Sequence, residues 1–257
     1  MSVTVATLNL KKGELRWGER APLLMEQMVE LTPDIIGFQE VDLRLDQGNW
    51  VCRRYNDLVC PQDSPEYTIH HMANPRDNIA LEALAIMTRL PVLAHDGLDY
   101  LVRERVAHRL RVDVGRAALD FYNTHFHHEQ DAAGHEMRRT QAERLLQWMD
   151  SHGWETRKVL VGDFNAPPGT RPIRIIEGKL QSAHRLATGV EPHHTLTPLA
   201  STLGGKEPPE GYVVDYIFVS PSVRVRQASV VFDKTHPEDS SLYASDHLGL
   251  AATVDLS

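Results

Sequence analysis

Acidic, amide and imidazole side chains recur in this sequence at the points where apolar runs stop. In the segment Val-Gly-Asp-Phe-Asn-Ala-Pro (161–167), Asp163 and Asn165 stand two residues apart, directly after an apolar run. Gly162 permits a steep turn there, so both side chains can point the same way. Carboxylate and amide oxygens are the ligands that Mg²⁺ and Mn²⁺ prefer, and these ions keep waters for phosphate-bearing substrates. The segment therefore indicates a hard-cation site with phosphate chemistry.

Two other apolar runs stop in the same manner, at Asn9 and at Glu40. Any one such residue is typical of a cap or a turn. Loops at strand ends, however, are where a rigid sheet can present several side chains to one crevice. We therefore expect Asn9, Glu40, Asp163 and Asn165 to converge on one cation-holding pocket.

Carboxylates and an imidazole come together again near the C-terminus. Ser245-Asp246-His247 precedes the last apolar run, and a carboxylate beside an imidazole can place a metal ligand and a proton acceptor in one site. Asp215 lies within the apolar run Val-Val-Asp-Tyr-Ile-Phe-Val (213–219). A charge buried there needs a partner, and a histidine is the natural candidate.

The elements that must position these residues are mostly short β-strands. Apolar runs that predict strands lie at 3–8, 34–38, 83–87, 119–122, 159–161, 213–219, 223–232 and 248–254. Helical spacing of apolar residues predicts helices over Arg20–Leu31 and Glu136–His152, with Gly153 at the C-terminal cap of the second. Strands with a few interspersed helices favour an α/β or α+β protein built around sheets.

Composition restricts the class of protein further. The 257 residues fit a single domain spanning 1–257, and the net charge of −8 weakens any model in which nucleic acid is wrapped broadly. Cys52 and Cys60 are expected to be buried thiols in a reducing compartment. The N-terminal segment does not resemble a signal peptide, and no apolar run is long enough to span a bilayer. We expect a cytoplasmic protein.

Taken in order, the motifs resemble those of the endonuclease/exonuclease/phosphatase superfamily, which includes deoxyribonuclease-like and sphingomyelinase-like enzymes. The matching residues are Asn9, Gln39-Glu40, Asn123-Thr124-His125, Gly162-Asp163-Phe164-Asn165, Asp215-Tyr216-Ile217-Phe218 and Ser245-Asp246-His247. The resemblance implies a four-layer αββα sandwich in which helices flank two packed, mixed β-sheets. It also implies a Mg²⁺- or Mn²⁺-dependent enzyme that hydrolyses a P–O bond with an activated water.

The resemblance assigns a metal site and a base. Glu40 would be the principal metal ligand, and Asn9 and Asp246 would complete the metal or phosphate environment. His247 would act as general base or stabilise the attacking water. Asp215 would hold the tautomer and orientation of that imidazole.

The remaining roles concern the phosphate. Asp163 and Asn165 would position the water and the phosphoryl oxygens, and His125 would bind the phosphate or protonate the leaving oxygen. In deoxyribonuclease-like members a glutamate seven residues ahead of an arginine orients this second histidine. Glu82 and Arg89 have that spacing here, so Glu82 is the candidate.

The substrate is less clearly indicated. The Gln-Glu-Val-Asp form at 39–42 looks more like sphingomyelinase-like and general phosphodiesterase members than like abasic-site endonucleases. No amphipathic membrane helix supports lipid binding or membrane insertion. The sequence favours a small, soluble phosphodiester or phosphomonoester, with nuclease action second. A phospholipid phosphodiesterase and a non-catalytic binding module are lesser alternatives.

Two other patterns allow a functional and a structural interpretation. His125, His127 and His128 resemble part of a dinuclear zinc motif, but Glu129 and Gln130 replace its Asp-His ending, so rim or solvated positions are favoured. In addition, three arginines alternate with apolar residues, which fits the solvent face of a strand better than an anion-attracting wall. These arginines are Arg105, Arg109 and Arg111.

The sequence leaves open the roles of a surface segment and of one arginine pair. Arg138 and Arg139 are expected on the surface, near the start of the second helix. The segment 191–211 is rich in proline and glycine and predicts a long surface loop. Its His193, His194 and Lys206 are candidates for substrate contact.

Overall fold

Alternating apolar residues place strands along most of the chain, and a computed structural model describes residues 2–13, 16–60, 66–76, 81–200 and 208–256. The strands are β1 (Ser2–Asn9), β2 (Ile35–Asp42), β3 (Thr68–Met72), β4 (Glu82–Thr88), β5 (Val92–Asp99), β6 (Val106–Asp113), β7 (Ala118–His125), β8 (Arg157–Asp163), β9 (Gln181–Ser182), β10 (Asp215–Val219), β11 (Arg224–Val231), β12 (Thr235–His236), β13 (Asp239–Tyr243) and β14 (Gly249–Asp255). The helices are α1 (Trp17–Leu31), α2 (Gln47–Val59), α3 (Ala132–Asp150), α4 (Arg171–Glu177) and α5 (Ala183–Thr188).

The strands form two six-stranded sheets. The first sheet has the order β11-β14-β1-β2-β4-β3, and the second has the order β5-β6-β7-β8-β10-β9, while β12 and β13 pair separately. Both sheets are mixed, because β1 runs parallel to β2 and β7 parallel to β8, whereas their other pairs are antiparallel. The carboxyl ends of those four strands therefore lie at one edge of the stacked sheets.

Alternation of side chains along the strands produces three apolar layers. In β1, Val3 and Val5 point into a core between the two sheets, whereas Ala6 and Leu8 point into a second core under α1 and α2. A third core lies between the outer face of the second sheet and the helices α3 and α4. The order helix, sheet, sheet, helix confirms the predicted αββα sandwich.

The two predicted helices form, each with a start earlier than expected. The first begins at Trp17 rather than Arg20. The second begins at Ala132 rather than Glu136, because the Asp131 side chain accepts a hydrogen bond from the Gly134 N–H at 2.7 Å and so caps the helix. The strand expected at 213–219 begins at Asp215. The sequence did not predict α2, which has a Gly and two Asn among its thirteen residues.

Two expectations about polar residues were wrong. Arg109 does not lie on a solvent face: it is buried, and it donates to Asp120 at 2.6 Å. Arg138 is not a surface residue either, because its guanidinium is buried and donates to the carbonyl of His127 at 2.8 Å. Burial of Arg109 is possible because its charge is paired with Asp120, and burial of Arg138 because both terminal nitrogens of its guanidinium are hydrogen-bonded.

Neither cysteine is in a disulfide, and Cys52 is buried as expected, whereas Cys60 is partly exposed. No helix in the described ranges is both long enough and apolar enough to cross a bilayer. That the chain is a single domain stays a prediction.

Candidate active site

A cleft opens at the sheet edge where β1, β2, β7 and β8 end. It encloses about 260 Å³. Seven of the nine predicted site residues line it, namely Glu40, Glu82, His125, Asp163, Asn165, Asp246 and His247. The other two, Asn9 and Asp215, are buried directly behind and contact members of the lining. Residues more than 200 positions apart thus converge because parallel strands deliver their carboxyl ends to one edge.

One imidazole of the cleft is held by a buried carboxylate. His247 Nδ1 lies 2.9 Å from Asp215 Oδ2, and its Nε2 lies 3.8 Å from Asp163 Oδ2. Burial disfavours the charged form of His247, but the Asp215 carboxylate outweighs it and raises the pKa of the imidazole well above 6.5. Burial, and then the Asp215 charge, raise the pKa of Asp163 to about 7. The three side chains therefore form one tightly coupled proton-holding group.

The pKa of the second imidazole, that of His125, is shifted in the opposite direction. His125 Nε2 lies 3.4 Å from Asp163 Oδ2, and its Nδ1 lies 3.0 Å from the Arg105 guanidinium. Since a guanidinium can only donate, Nδ1 must accept, which leaves the ring proton on Nε2. Burial, followed by the charge of Arg105, lowers the pKa of His125 well below 6.5. His125 is thus a neutral donor that faces the cleft.

Glu82 reaches this histidine through an intermediary. The sequence predicted that Glu82 orients His125, but Glu82 Oε1 accepts from Arg105 at 2.8 Å, and Arg105 in turn donates to the imidazole. The prediction therefore needs correction: Arg105 contacts the ring, and Glu82 positions Arg105. Arg105 is partly buried and faces the cleft, so it does not lie on a strand's solvent face. The sequence named Arg105 only as one of three alternating arginines, and no local pattern linked it to His125.

Carboxylates in the cleft offer a site for a hard cation. Glu40 and Asp246 present oxygens to the cleft, and Asp246 Oδ2 already holds the Lys11 ammonium at 3.1 Å. Burial opposes the charge of Lys11, yet Asp246 and Glu40 raise its pKa. Carboxylates that retain a cation in this way are the donor set that Mg²⁺ or Mn²⁺ requires, so the residues fit such an ion.

Asn9 contributes differently from what its amide oxygen suggested. Its Nδ2 donates to Glu40 Oε1 at 3.2 Å and to Asp163 Oδ2 at 3.1 Å, while its Oδ1 accepts from the Lys11 N–H at 3.0 Å. The amide therefore ties two carboxylates together from behind. In this arrangement Asn9 positions the oxygens of Glu40 and Asp163.

A different set of potential ligand atoms is more compact than the predicted one. Within the described residues, ligand atoms of Asp163, Asp215 and His247 all lie within 4.8 Å of one another. The hydrogen bond from His247 to Asp215 accounts for much of this compactness. We therefore favour the open carboxylates of Glu40 and Asp246 for the cation, since they face the cleft.

Three of the nine non-glycine residues with a positive φ in the described part of the chain line the cleft, among them Glu40 and Asn165. Glu40 and Asn165 have φ values of 51° and 48°, a left-handed conformation that non-glycine residues seldom adopt. For Glu40 it coincides with an irregularity in the pairing of β2 with β4. For Asn165 it allows the N–H to donate to Asp163 Oδ1 at 2.9 Å. Such strain persists where surrounding structure requires it, as at functional sites.

The other histidines that the sequence singled out lie partly in the cleft lining and partly outside it. His128 lines the cleft, but His127 is buried and bonded to Glu129 Oε2 at 3.0 Å, so it does not lie on the rim. His193 is exposed, and neither it nor His194 is among the cleft-lining residues. Lys206 lies outside the described residues. The group of three potential ligands in the described chain contains none of the histidines of the zinc-like motif.

Sequence reasoning missed the cationic side of the cleft. Lys11 and Lys12 line it together with Arg105, and Lys12 Nζ lies 2.5 Å from Glu82 Oε2. The only available signal was that both lysines lie within three residues of Asn9, just after the end of β1. Apolar side chains form another part of the lining, namely Leu196, Ala200, Tyr212 and Val214.

The fold and this site define a class of protein, and comparison with known proteins agrees. The model of the Endonuclease/Exonuclease/phosphatase family matches residues 6–247, so the chain belongs to this family. The structure is similar to the crystal structure of an endonuclease/exonuclease/phosphatase from Bacteroides vulgatus, with a TM-score of 0.77, 19% identity and 100% of both chains covered. It is also similar to D. rerio TDP2 complexed with single strand DNA product, with a TM-score of 0.75, 17% identity and 99% of each chain covered.

Among curated proteins, the chain resembles nocturnin of Drosophila melanogaster. The two are 24% identical over 279 residues, which cover 94% of this chain and 42% of that protein. The chain thus spans less than half the length of this relative. At 19% and 17% identity, the two solved structures named above show a shared fold.

Proposed function

We propose that this chain is a divalent-metal-dependent hydrolase that breaks a P–O bond of a phosphoester by attack of water. The observation that carries the proposal is the environment of Asp163 Oδ2: two imidazoles in opposite protonation states and the amide of Asn9 surround it at the floor of one cleft. Family membership over residues 6–247 supports the same class of reaction.

His247 and Asp215 supply the proton acceptor in this proposal. Asp215 occupies Nδ1, so Nε2 is the nitrogen that can take a proton from a water in the cleft. A divalent cation held by Glu40 and Asp246 would offset charge on the phosphoryl oxygens and favour the neutral, proton-accepting form of His247. Asp163 and the backbone turn at Asn165 hold the water on the side of the imidazole.

His125 supplies a hydrogen bond rather than a proton. Because its pKa is lowered and Arg105 occupies Nδ1, the ring is neutral near pH 7 and its Nε2–H points into the cleft. Such a fixed donor stabilises negative charge that develops on a phosphoryl or leaving oxygen. Of the two predicted roles of His125, this supports binding of the phosphate over protonation of the leaving oxygen.

The lining of the cleft suggests the kind of substrate. Lys11, Lys12 and Arg105 line the cleft of a chain with a net charge of −8, and each also contacts a carboxylate of the lining, so they offer N–H donors to a phosphate group without making the cleft cationic overall. The limited volume of about 260 Å³ fits a small phosphoester or the terminal group of a larger one. A small, soluble phosphodiester or monoester in the cytoplasm, as the sequence predicts, remains our proposal.

Nuclease action is the second candidate. One structural neighbour carries a single strand DNA product, and the same cationic lining would contact a phosphate backbone. Neutralisation of several phosphates makes KM rise steeply with salt, whereas a small substrate shows a shallow dependence. The salt dependence of KM therefore separates the two candidates.

A phosphoester panel tests the proposal directly. Nucleic acids, cyclic dinucleotides, phospholipids and sugar phosphates are incubated with Mg²⁺, Mn²⁺ or chelator, using the parent chain, Glu40→Gln and the control Glu26→Gln on the exposed face of α1. We expect metal-dependent hydrolysis of at least one class, lowered at least ~10²-fold by Glu40→Gln and unchanged by Glu26→Gln. Metal binding without any turnover would instead identify a binding module, and turnover indifferent to chelator would overturn the metal requirement.

A further inference from the structure

A small side pocket opens from the active-site cleft beyond the end of strand β3. It encloses about 20 Å³, which is room for one water-sized group. Four residues line both the side pocket and the cleft, namely Glu40, Glu82, Arg105 and His125. Because these residues are shared, the side pocket is continuous with the space for the phosphoester. It therefore faces the group that a substrate carries beside its phosphate.

Strand pairing brings Asn74 to the side pocket. β3 runs antiparallel to β4, with Met72 opposite Leu84, so the chain that leaves β3 passes the start of β4 at Glu82. Asn74 follows two residues after the end of β3 and belongs to the lining of the side pocket. Met72, Leu84 and Val106 supply apolar walls. Asn74 is thus a polar group in a partly apolar enclosure.

The side-chain amide of Asn74 has a donor that no described residue uses. Asn74 is only 6% exposed. Its Oδ1 accepts from the N–H of Arg76 at 2.8 Å, and this bond fixes which end of the amide is which, because a backbone N–H can only donate. Its Nδ2 is buried and has no hydrogen-bond partner among the described residues. An unpaired buried donor is costly, so a group that accepts from it binds favourably.

Carboxylates supply the complementary side of the side pocket. Glu40 and Glu82 line it, together with the exposed Glu104. Three carboxylates disfavour a second phosphate there, because like charges repel. A hydroxyl can accept from Asn74 and also donate to a carboxylate, whereas an ether or carbonyl oxygen can only accept. A single hydroxyl therefore fits both the size of the side pocket and its hydrogen-bonding groups.

We propose that the side pocket binds a hydroxyl group of the substrate through Asn74, which makes the substrate a phosphoester of a sugar or another polyol. This inference rests on the proposed phosphoester hydrolase function and deepens it, since it states what the substrate carries beside its phosphate. A substrate without this hydroxyl leaves the Asn74 donor unpaired, so a deoxy analogue binds more weakly. Asn74 determines specificity and takes no part in breaking the P–O bond.

Two phosphonates measure this preference without turnover. They are 2,3-dihydroxypropylphosphonate and propylphosphonate, which differ only in their hydroxyl groups. Neither can be hydrolysed at phosphorus, because a P–C bond replaces the ester. Calorimetry in saturating Mg²⁺ gives the Kd of each phosphonate for the parent chain. We expect the dihydroxy compound to bind at least about tenfold more tightly.

Asn74→Ser is the test variant. Its hydroxyl can still accept from the Arg76 N–H in the same turn, but it is too short to replace the amide Nδ2. We expect the ratio of the two Kd values to fall to about one. Asn49→Ser, exposed on α2 and outside both cavities, should keep the parental ratio. Asn74→Asp keeps the side-chain length and the acceptor, and it replaces Asn74→Ser if a melting curve shows the latter to be unfolded.

The outcomes separate this inference from the hydrolase function. Equal binding of the two phosphonates by the parent, or binding of neither, would overturn the hydroxyl site, as would an unchanged ratio in folded Asn74→Ser. The side pocket would then hold water only. A preference that disappears in Asn74→Ser, while no phosphoester of the panel is hydrolysed, would support the hydroxyl site and contradict the hydrolase function.

Discussion

Asp163 is the residue on which the contacts of the cleft converge, since both imidazoles and the Asn9 amide approach its Oδ2 atom. Burial and then the Asp215 charge raise its pKa to about 7, whereas burial opposes the charge of His247 and the neighbouring carboxylates, Asp215 first, raise the pKa of that imidazole. The state of this group depends on every member, so removal of one member alters the others. Single substitutions here should therefore have large effects on turnover.

We predict that His247→Ala and Asp163→Ala each lower kcat at least ~10²-fold, because each removes a positioned proton-transfer or water-holding group. The measurement is kcat on the substrate that the phosphoester panel identifies, with circular dichroism to verify folding. Glu26→Gln, on the exposed face of α1 and outside the cleft lining, serves as control and should retain the parental activity. Near-parental kcat in either folded test variant would refute the assigned roles.

Arg105 affects the cleft through its contact with the His125 imidazole. The Arg105→Gln variant removes a positive charge and a donor from Nδ1, so the pKa of His125 should rise towards 6.5, although burial continues to hold it down. NMR titration of His125 measures this change directly. We also expect kcat to fall about 10-fold as the ring loses its orientation. Arg103→Ala, an exposed arginine of the same turn, should leave both quantities unchanged.

The close approach of strands β7 and β8 leaves room only for a glycine at position 162. A Cβ on Gly162 would lie 2.0 Å from the Thr124 carbonyl oxygen, and its φ is 145°. Gly162 thus allows the two parallel strands to bring His125 and Asp163 side by side. The glycine before Asp163 is therefore required by the packing of β7 against β8.

We predict that Gly162→Ala destabilises the protein by at least about 3 kcal/mol, because strain and overlap with backbone add together. Gly169→Ala is the matched control: its φ of 76° is also left-handed, but nothing lies within 4 Å of the added Cβ. Its cost should be only about 1 kcal/mol. Urea unfolding of both variants measures the difference, and equal costs would show that the approach of β7 is not limiting.

Some elements could be predicted from the sequence and others could not. The strands that end at Asn9, His125 and Asp163 are apolar runs with a polar stop, and they form as predicted. By contrast, β5 has partly exposed and exposed residues throughout, so its sequence carries no apolar signal. It forms because it pairs with β6 along an edge, which is a property of the neighbouring strand.

The two sheets of the whole molecule are joined by buried polar contacts as well as by apolar packing. Asn123 of β7 donates to the carbonyls of Phe38 and Ala85, on strands of the opposite sheet, at 2.8 and 3.0 Å. Gln39 donates back to Asn123 at 2.7 Å. These bonds fix the alignment of the sheets directly behind the cleft, so the position of Glu40 relative to His125 depends on the whole sandwich.

Stability of the whole molecule should depend on pH through His108. Its pKa is lowered in the folded chain, so only the unfolded chain takes up a proton as the pH falls below about 6.5. This contribution to the free energy of unfolding is complete above pH 6.5 and decreases as the pH falls towards the folded pKa. His247, whose pKa is raised, acts in the opposite direction, but it is unchanged between parent and variant.

We predict that the metal-free parent loses about 1 kcal/mol more stability between pH 7.5 and 5.5 than His108→Gln does. Urea unfolding at the two pH values provides the measurement. His193→Ala, which lacks a highly exposed imidazole, should follow the parent. An identical pH dependence in the parent and His108→Gln would show that this buried ring does not control acid stability.

The sequence by itself determined the class of chemistry and the identity of most site residues. Oxygen and imidazole side chains at the ends of apolar runs are local features. A strand and the polar residue that follows it are neighbours in the sequence, so both can be recognised from it. Seven such residues proved to line one cleft, and the sandwich of two mixed sheets formed as expected.

Tertiary structure alone decided how those residues act. That Arg105 stands between Glu82 and His125, that Asn9 joins two carboxylates, and that Asn74 and His125 line one side pocket all depend on distances between strands remote in sequence. Protonation states depend on burial and on the nearest charge, which are properties of packing in three dimensions. No local pattern in the sequence contains them, because each is set by the partner that folding brings within a few ångströms.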